Sequence, residues 1–135
     1  MGKVTDILYD TYITKETNCS ATMFKSAMAS RGREVTDEDL RLFSGFSGGV
    51  STENLCGALI GGVAAISCLI NKGDEETFEK SKEATEKFYN KLEERFGSTR
   101  CHDIKTEYRT EELRCYNAVE IMAQILEDVL TEYGV

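Results

Sequence analysis

The feature that most constrains this chain is an uncharged segment near its middle. Residues 55–70 contain no Asp, Glu, Lys or Arg, although 30% of all residues are charged. A segment of this kind is stable in a globular protein where the rest of the chain covers it. Its 16 residues fall short of the roughly 20 that a membrane-spanning helix needs. We therefore predict a buried central helix, about residues 53–72.

Small residues recur along this segment at four-residue spacing, namely Gly57, Gly61 and Ala65. A glycine inside a helix costs about 1 kcal/mol relative to alanine, so its repeated use indicates that another helix packs closely there. A glycine-rich loop, residues 44–49, precedes the helix, and Ser51 or Thr52 is expected to cap it. The loop is either a tight turn between helices or a source of backbone N–H groups for a sulfur atom.

The remaining sequence predicts further helices and no β-strand. The chain contains no proline, the strongest helix breaker. Apolar residues at steps of three and four, with capping residues before them and glycines after them, predict helices at about 3–15, 19–30, 37–44, 74–96 and 111–132. We predict an all-α fold: a compact helical bundle of four principal helices plus one or two short ones around the central helix. Residues 1–135 are expected to form a single helical domain.

Charge and the N-terminus limit the location and the partners. The net charge is −8 and no basic run is present, so a nucleic-acid partner is not expected. Asp6 and Asp10 interrupt the place where a secretory signal would be apolar. We expect a cytoplasmic protein that does not bind membranes. The sequence is compatible with a homodimer and with a monomer.

Five cysteines lie far apart in the sequence, with no CxxC pair. Their spacing alone does not predict a metal site, and burial, redox chemistry and metal binding all remain open. Cys19 and Cys56 fall near predicted helix starts, where a thiolate is stabilised; Cys101 follows a helix end and Cys115 lies near another start. Cys68 lies deep in the uncharged helix and is assigned to core packing.

The order of several motifs resembles the C_GCAxxG_C_C family of redox-active proteins. These motifs are Asn18-Cys19-Ser20-Ala21, the loop Ser44–Gly49, Cys56-Gly57-Ala58-Leu59-Ile60-Gly61, Cys101, and Cys115–Val119. The resemblance covers most of the chain, from about Asn18 to the last helix. In this chain Cys56 precedes Gly57, whereas the family's name places the glycine first. The resemblance implies an all-helical fold and a metal centre, foremost an iron–sulfur cluster, with the ligands Cys19, Cys56, Cys101 and Cys115.

The leading hypothesis is a small cytosolic redox protein whose four cysteines hold an iron–sulfur cluster for electron transfer or redox sensing. Its redox partner protein is not identified by the sequence, and neither is an enzymatic reaction. Zinc is the alternative metal. Two other classes remain: a metal-free thiol–disulfide protein, and a helical interaction module with structural cysteines. His102, the single histidine, is interpreted as an exposed loop residue in preference to a ligand.

Overall fold

A computed structural model of the protein describes residues 2–135, and this part of the chain is all-α. Six α-helices follow one another as α1 Cys19–Ser30, α2 Asp37–Arg41, α3 Gly57–Ile70, α4 Glu75–Phe96, α5 Cys101–Tyr108 and α6 Tyr116–Glu132. Shorter 3₁₀ and π turns lie at Val4–Ile7, Asp10–Thr14, Ser44–Phe46 and Gly49–Glu53. Within residues 2–135, no helix is both long and apolar enough to cross a membrane. The predicted all-α bundle is confirmed.

Helix α3 lies at the centre of the bundle, in contact with α1, α4 and α6. Two adjacent glycines that face different neighbours let α1 and α4 come close. A Cβ atom at Gly61 would strike the carbonyl group of Ser20 on α1. A Cβ atom at Gly62 would lie 2.5 Å from the ring of Phe88 on α4. The predicted close packing against small residues is therefore confirmed.

The predicted helices 19–30 and 74–96 are confirmed, together with the N-cap of the first and the glycine that ends the second. The side chain of Asn18 accepts the backbone N–H of Ala21 at 2.9 Å, and α1 begins at the next residue, as expected from a polar N-cap. Asp74 caps α4 by accepting the N–H of Thr77 at 2.8 Å. Gly97 ends α4 with a φ of +73°, a left-handed conformation that glycine adopts without steric cost.

The predicted start of the central helix is wrong. Helix α3 begins at Gly57, four residues later than expected, and neither Ser51 nor Thr52 caps it. Val50, Ser51 and Glu53 all take positive φ, between +57° and +61°, which a right-handed helix excludes. The segment is held instead by pairing with a distant part of the chain: Leu55 forms an isolated antiparallel bridge with Arg100.

The region after Gly97 was also predicted wrongly. Cys101 is the first residue of helix α5, where a polar loop was expected. The last helix begins at Tyr116, not at 111, because Arg114 takes a φ of +52° and its carbonyl accepts the N–H of Thr110 in a tight turn. Cys115 is consequently the residue that precedes α6, not a residue of its second turn.

Two side chains expected in the core are exposed. Cys68 lies on the outer face of α3, so its assignment to core packing is wrong. Phe78, predicted as part of the apolar stripe of α4, is 48% exposed. Cys68 lines a surface cavity with Phe24 and Ala64, and Phe78 lines another with Ser67 and Asn71. The hydrophobicity of the sequence alone does not reveal that these positions are open to solvent.

Candidate cysteine site

Three of the four cysteines singled out by the sequence line one pocket. The pocket has a volume of about 290 Å³ and includes Cys19, Cys101 and Cys115 in its wall. These residues come from the starts of three helices, α1, α5 and α6. All three residues are partly exposed to solvent.

Cys56, the fourth, lies behind this wall in the protein core. It is 7% exposed, and its thiol donates to the sulfur of Met122 at 3.9 Å. It lies close to Cys19, because a Cβ atom at the adjacent Gly57 would be 2.8 Å from the sulfur of Cys19. The structure thus brings all four cysteines to one region, with three at the pocket and one beneath it.

The segment before α3 holds the start of α5 in place. The backbone N–H of Cys101 donates to the carbonyl of Asn54, and the N–H of Cys56 donates to the carbonyl of Thr99 at 2.8 Å. Gly49 lies against the same junction, because a Cβ atom there would be 2.6 Å from the Cβ of Cys101. Cys56 and Cys101 are therefore fixed relative to each other by backbone contacts.

The order of cysteine and glycine at the start of α3 has a steric reason. A Cβ atom at Gly57 would lie 2.8 Å from the sulfur of Cys19 and 2.8 Å from the carbonyl oxygen of Phe46. A residue with a side chain would push the thiol of Cys19 away from Cys56. A glycine directly after Cys56 therefore allows α1 and α3 to present their cysteines side by side.

Burial and mutual repulsion raise the pKa of three of these thiols, those of Cys19, Cys56 and Cys101. Burial raises the pKa of Cys56 to about 12, with a further contribution from Cys19. Burial likewise raises the pKa of Cys19 and of Cys101, and each is raised further by neighbouring cysteines. Backbone N–H groups act in the opposite direction: those of Gly48 and Ser20 on Cys19 lower its pKa. A positive charge brought into the pocket would favour thiolates.

The pocket rim carries positive side chains although the whole chain has a net charge of −8. Arg109 approaches the sulfur of Cys115 at 3.9 Å. Lys105 is paired with Glu53 at 2.7 Å, and Arg114 stacks on the ring of Tyr12 at 4.0 Å. These cations lie where a set of thiolates would need partial charge compensation.

Sequence reasoning missed six pocket residues: Tyr12, Glu16, Glu53, Lys105, Arg109 and Arg114. Tyr12 was assigned to an apolar helix stripe, and no local pattern links it to Cys115, over 100 residues away. Arg109 and Arg114 could have been found from their position in the sequence, since each lies within six residues of Cys115. His102 is exposed as expected but lies in α5, 3.9 Å from Glu53, and does not line the pocket.

A metal centre requires several donor atoms arranged around one point. Across residues 2–135, no group of three or more His, Cys, Asp or Glu side chains is already arranged to hold a metal ion. The chemistry of the residues nevertheless fits a soft metal or cluster: four neighbouring thiols, N–H groups of Ala58 and Leu59 directed at Cys56, and cations at the rim. Coordination would require the cysteine side chains to turn toward one another.

Comparison with known proteins gives one match. The family described as “Putative redox-active protein (C_GCAxxG_C_C)” matches residues 17–129, which include all five cysteines. No curated protein and no solved structure matches the chain.

Proposed function

The chain belongs to the C_GCAxxG_C_C family of redox-active proteins, and from this premise we propose that Cys19, Cys56, Cys101 and Cys115 form one redox centre. The observation that carries the proposal is their convergence. Four cysteines separated by up to 96 residues meet at the starts of four helices, around one pocket. The fifth cysteine, Cys68, lies outside this cluster on the outer surface of the protein.

We propose an iron–sulfur cluster as the group that the centre holds. Cys19, Cys101 and Cys115 would bind it from the pocket and Cys56 from the core. When bound, such a cluster supplies a site that gains and loses one electron without the transfer of a ligand. The N–H groups at Cys19 and Cys56 and the cations at the rim favour a negatively charged, sulfur-rich group. Zinc is the alternative metal for the same thiols.

Within this proposal the protein transfers electrons to, or senses the redox state of, a partner protein in the cytoplasm. The pocket is open to solvent at the three half-buried cysteines, which allows a partner to approach the centre. Nucleic acid and membrane surfaces remain unexpected partners for a chain of net charge −8 without a basic run.

Anaerobic isolation tests the proposal. The protein is purified and reconstituted with iron and sulfide without oxygen, and visible absorption, iron, zinc and acid-labile sulfide are measured. We expect a coloured protein with iron and sulfide in comparable amounts. A colourless protein without iron after reconstitution would contradict the cluster, and stoichiometric zinc in its place would support zinc as the bound metal.

A second candidate is metal-free thiol–disulfide chemistry. It is favoured by the partial exposure of Cys101 and Cys115, which line the same pocket, and by the absence of a preformed metal arrangement in the described part of the chain. Two thiols would give two electrons and two protons to the disulfide of a partner, which is cleaved to two thiols, and would join as a disulfide themselves. Mass spectrometry of the apoprotein after mild oxidation distinguishes this function: four unreactive thiols would exclude it.

A further inference from the structure

Helix α3 has one long face that no other element of the bundle covers. Its residues follow one another at steps of three and four and carry no charge: Ile60, Val63, Ala64, Ser67, Cys68 and Asn71. The first three are partly exposed and the last three are exposed. This spacing is that of the stripe by which a helix packs against another element. On the surface of a chain with 30% charged residues, such a face is a candidate for contact with another molecule.

A cavity lies on one side of this face. Ala64 and Cys68 border it, its volume is about 360 Å³, and its other walls are mainly apolar: Phe24, Met28, Val35, Leu42 and Phe43. A cavity of about 150 Å³ suffices to hold a benzene molecule. The cavity therefore has room for the ring of a phenylalanine.

An exposed phenylalanine ring lies on the other side of the same face. Ser67 and Asn71 border a groove there with Phe78, near the start of α4. The side chain of Phe78 is 48% exposed. One chain thus carries both an exposed ring and an apolar cavity, on opposite sides of the uncovered face of α3.

The charged groups beside the ring and beside the cavity have opposite signs. The ammonium group of Lys82 lies 5.5 Å from the centre of the Phe78 ring. The charged residues of the cavity wall are both acidic, Glu34 and Asp39. Glu86, the other charged residue of the groove, lies one helical turn beyond Lys82, on the side away from Phe78. A ring that enters the cavity therefore brings the ammonium group toward carboxylates.

We propose that the uncovered face of α3 is the interface of a symmetric homodimer, in which Phe78 of each copy fills the cavity of the other. A two-fold axis parallel to α3 places the groove of one copy against the cavity of its partner, and the same contact forms twice. Lys82 of each copy then faces Glu34 and Asp39 of the other. A second copy is the occupant because one chain supplies the ring, the cavity, the cation and the carboxylates.

The net charge of −8 on each copy opposes association. The interface itself is uncharged along α3, so the like charges of the two copies stay apart. At physiological ionic strength, charges separated by more than about 8 Å are largely screened. The contacts at the ring and the cavity therefore decide whether the dimer forms.

Sedimentation of the full chain over a wide range of concentration, at physiological salt and under reducing conditions, measures the dimer. Phe78→Ser removes the ring, and Tyr9→Ser is the matched control, since Tyr9 is 49% exposed and lines neither the groove nor the cavity. We expect the wild type and Tyr9→Ser to form dimers with equal dissociation constants. The dissociation constant of Phe78→Ser should be at least about tenfold higher.

An exchange of charges tests the orientation of the two copies. Lys82→Glu and Glu34→Lys should each weaken the homodimer, and an equimolar mixture of the two variants should form a mixed dimer with opposite charges at both contacts. Lys80→Glu changes the net charge as Lys82→Glu does, but Lys80 does not line the groove. This control should leave the dimer unchanged.

Alkylation of Cys68 needs no substitution, because the partner covers this thiol in the dimer. Mass spectrometry should show that its alkylation slows as the protein concentration rises. A chain that sediments as a monomer at every concentration, or a dimer that Phe78→Ser leaves intact, would overturn the inference. A purified monomer whose Cys68 reacts more slowly in a cell extract would show that another protein covers the face, and it would likewise overturn the homodimer. These outcomes do not depend on whether the four other cysteines bind iron.

Discussion

Single glycines decide how closely the cysteine-bearing helices approach each other. Gly61 faces the backbone of Ser20, and Gly57 faces the thiol of Cys19. In the interior of a helix alanine would normally be preferred by about 1 kcal/mol. Here that preference is outweighed, because a methyl group would meet backbone atoms of α1, which cannot rotate away. The small residues of α3 thus set the distance between Cys19 and Cys56.

We predict that Gly61→Ala destabilises the protein by about 1–3 kcal/mol despite the better helix propensity of alanine. Chemical denaturation with urea measures the loss. Gly45→Ala is the control, because a Cβ atom at Gly45 meets nothing within 4 Å, and that glycine does not need positive φ. An unchanged or increased stability of Gly61→Ala would show that α1 and α3 are not in close contact.

At the scale of the element, the segment Gly48–Asn54 is the part of the structure that connects α3 to α5. It combines consecutive left-handed residues with backbone bonds to the start of α5. Left-handed conformations of residues other than glycine cost about 1–2 kcal/mol each, so contacts elsewhere must stabilise the segment. The bridge between Leu55 and Arg100 and the hydrogen bond from Cys101 to Asn54 provide such contacts.

Gly48 and Gly49 form a matched pair for testing this segment. Both have positive φ, +63° and +66°, so alanine at either position carries a similar backbone strain. Only at Gly49 would the new Cβ atom meet neighbours, the backbone of Asn54 and the side chain of Cys101. We therefore expect Gly49→Ala to lose about 1–3 kcal/mol more than Gly48→Ala and to bind less iron per chain. Equal urea midpoints and equal iron contents for the two variants would contradict this role.

The helices whose caps and apolar stripes lie within the helix itself could be predicted from the sequence. The start of α3 and helix α5, which carry Cys56 and Cys101, could not. Helices α1 and α4 carry their caps and stripes within the element, so the sequence predicts them well. The start of α3 and the whole of α5 depend on pairing between Leu55 and Arg100, which lies outside any local window. The four cysteines were found because the motif order marks them, and their role as ligands stays a prediction. Tyr12 was placed correctly in the core, but its contact with Cys115 spans 103 residues.

At the scale of the whole molecule, one ion pair connects the two ends of the chain. Arg31, at the end of α1, makes two hydrogen bonds of 2.8 and 2.9 Å to the carboxylate of Glu127 on α6. Glu127 also accepts the N–H of Val4, and Arg31 donates to the carbonyl of Val135. The side chain of Arg31 is only 6% exposed, so loss of its partner would leave a buried charge unpaired.

We predict that Glu127→Gln lowers the free energy of unfolding by about 3 kcal/mol at pH 7. The hydrogen bonds from Arg31 lower the pKa of Glu127 from 4.5 to about 2. A depressed pKa stabilises the folded state above pH 4.5, and this contribution is lost as the pH falls toward 2. The difference between wild type and variant should therefore shrink over that range in urea titrations.

The surface pair of Lys87 and Glu132 provides the control for this prediction. Both side chains are about half exposed, at 43% and 50%. Because solvent screens such pairs, Glu132→Gln should change stability much less than Glu127→Gln does. Equal effects of the two substitutions at pH 7 would contradict the structural importance of the buried pair.

The central claim is that four particular cysteines, and not the fifth, form one redox centre. The most direct measurement is the iron content per chain of five single Cys→Ser variants, reconstituted without oxygen in parallel with the wild type. The account predicts that substitution of Cys19, Cys56, Cys101 or Cys115 removes or strongly reduces bound iron, and that Cys68→Ser retains the wild-type amount, since Cys68 is exposed and outside the pocket lining. Iron that is lost from Cys68→Ser, or retained by all of the other four, would contradict the account.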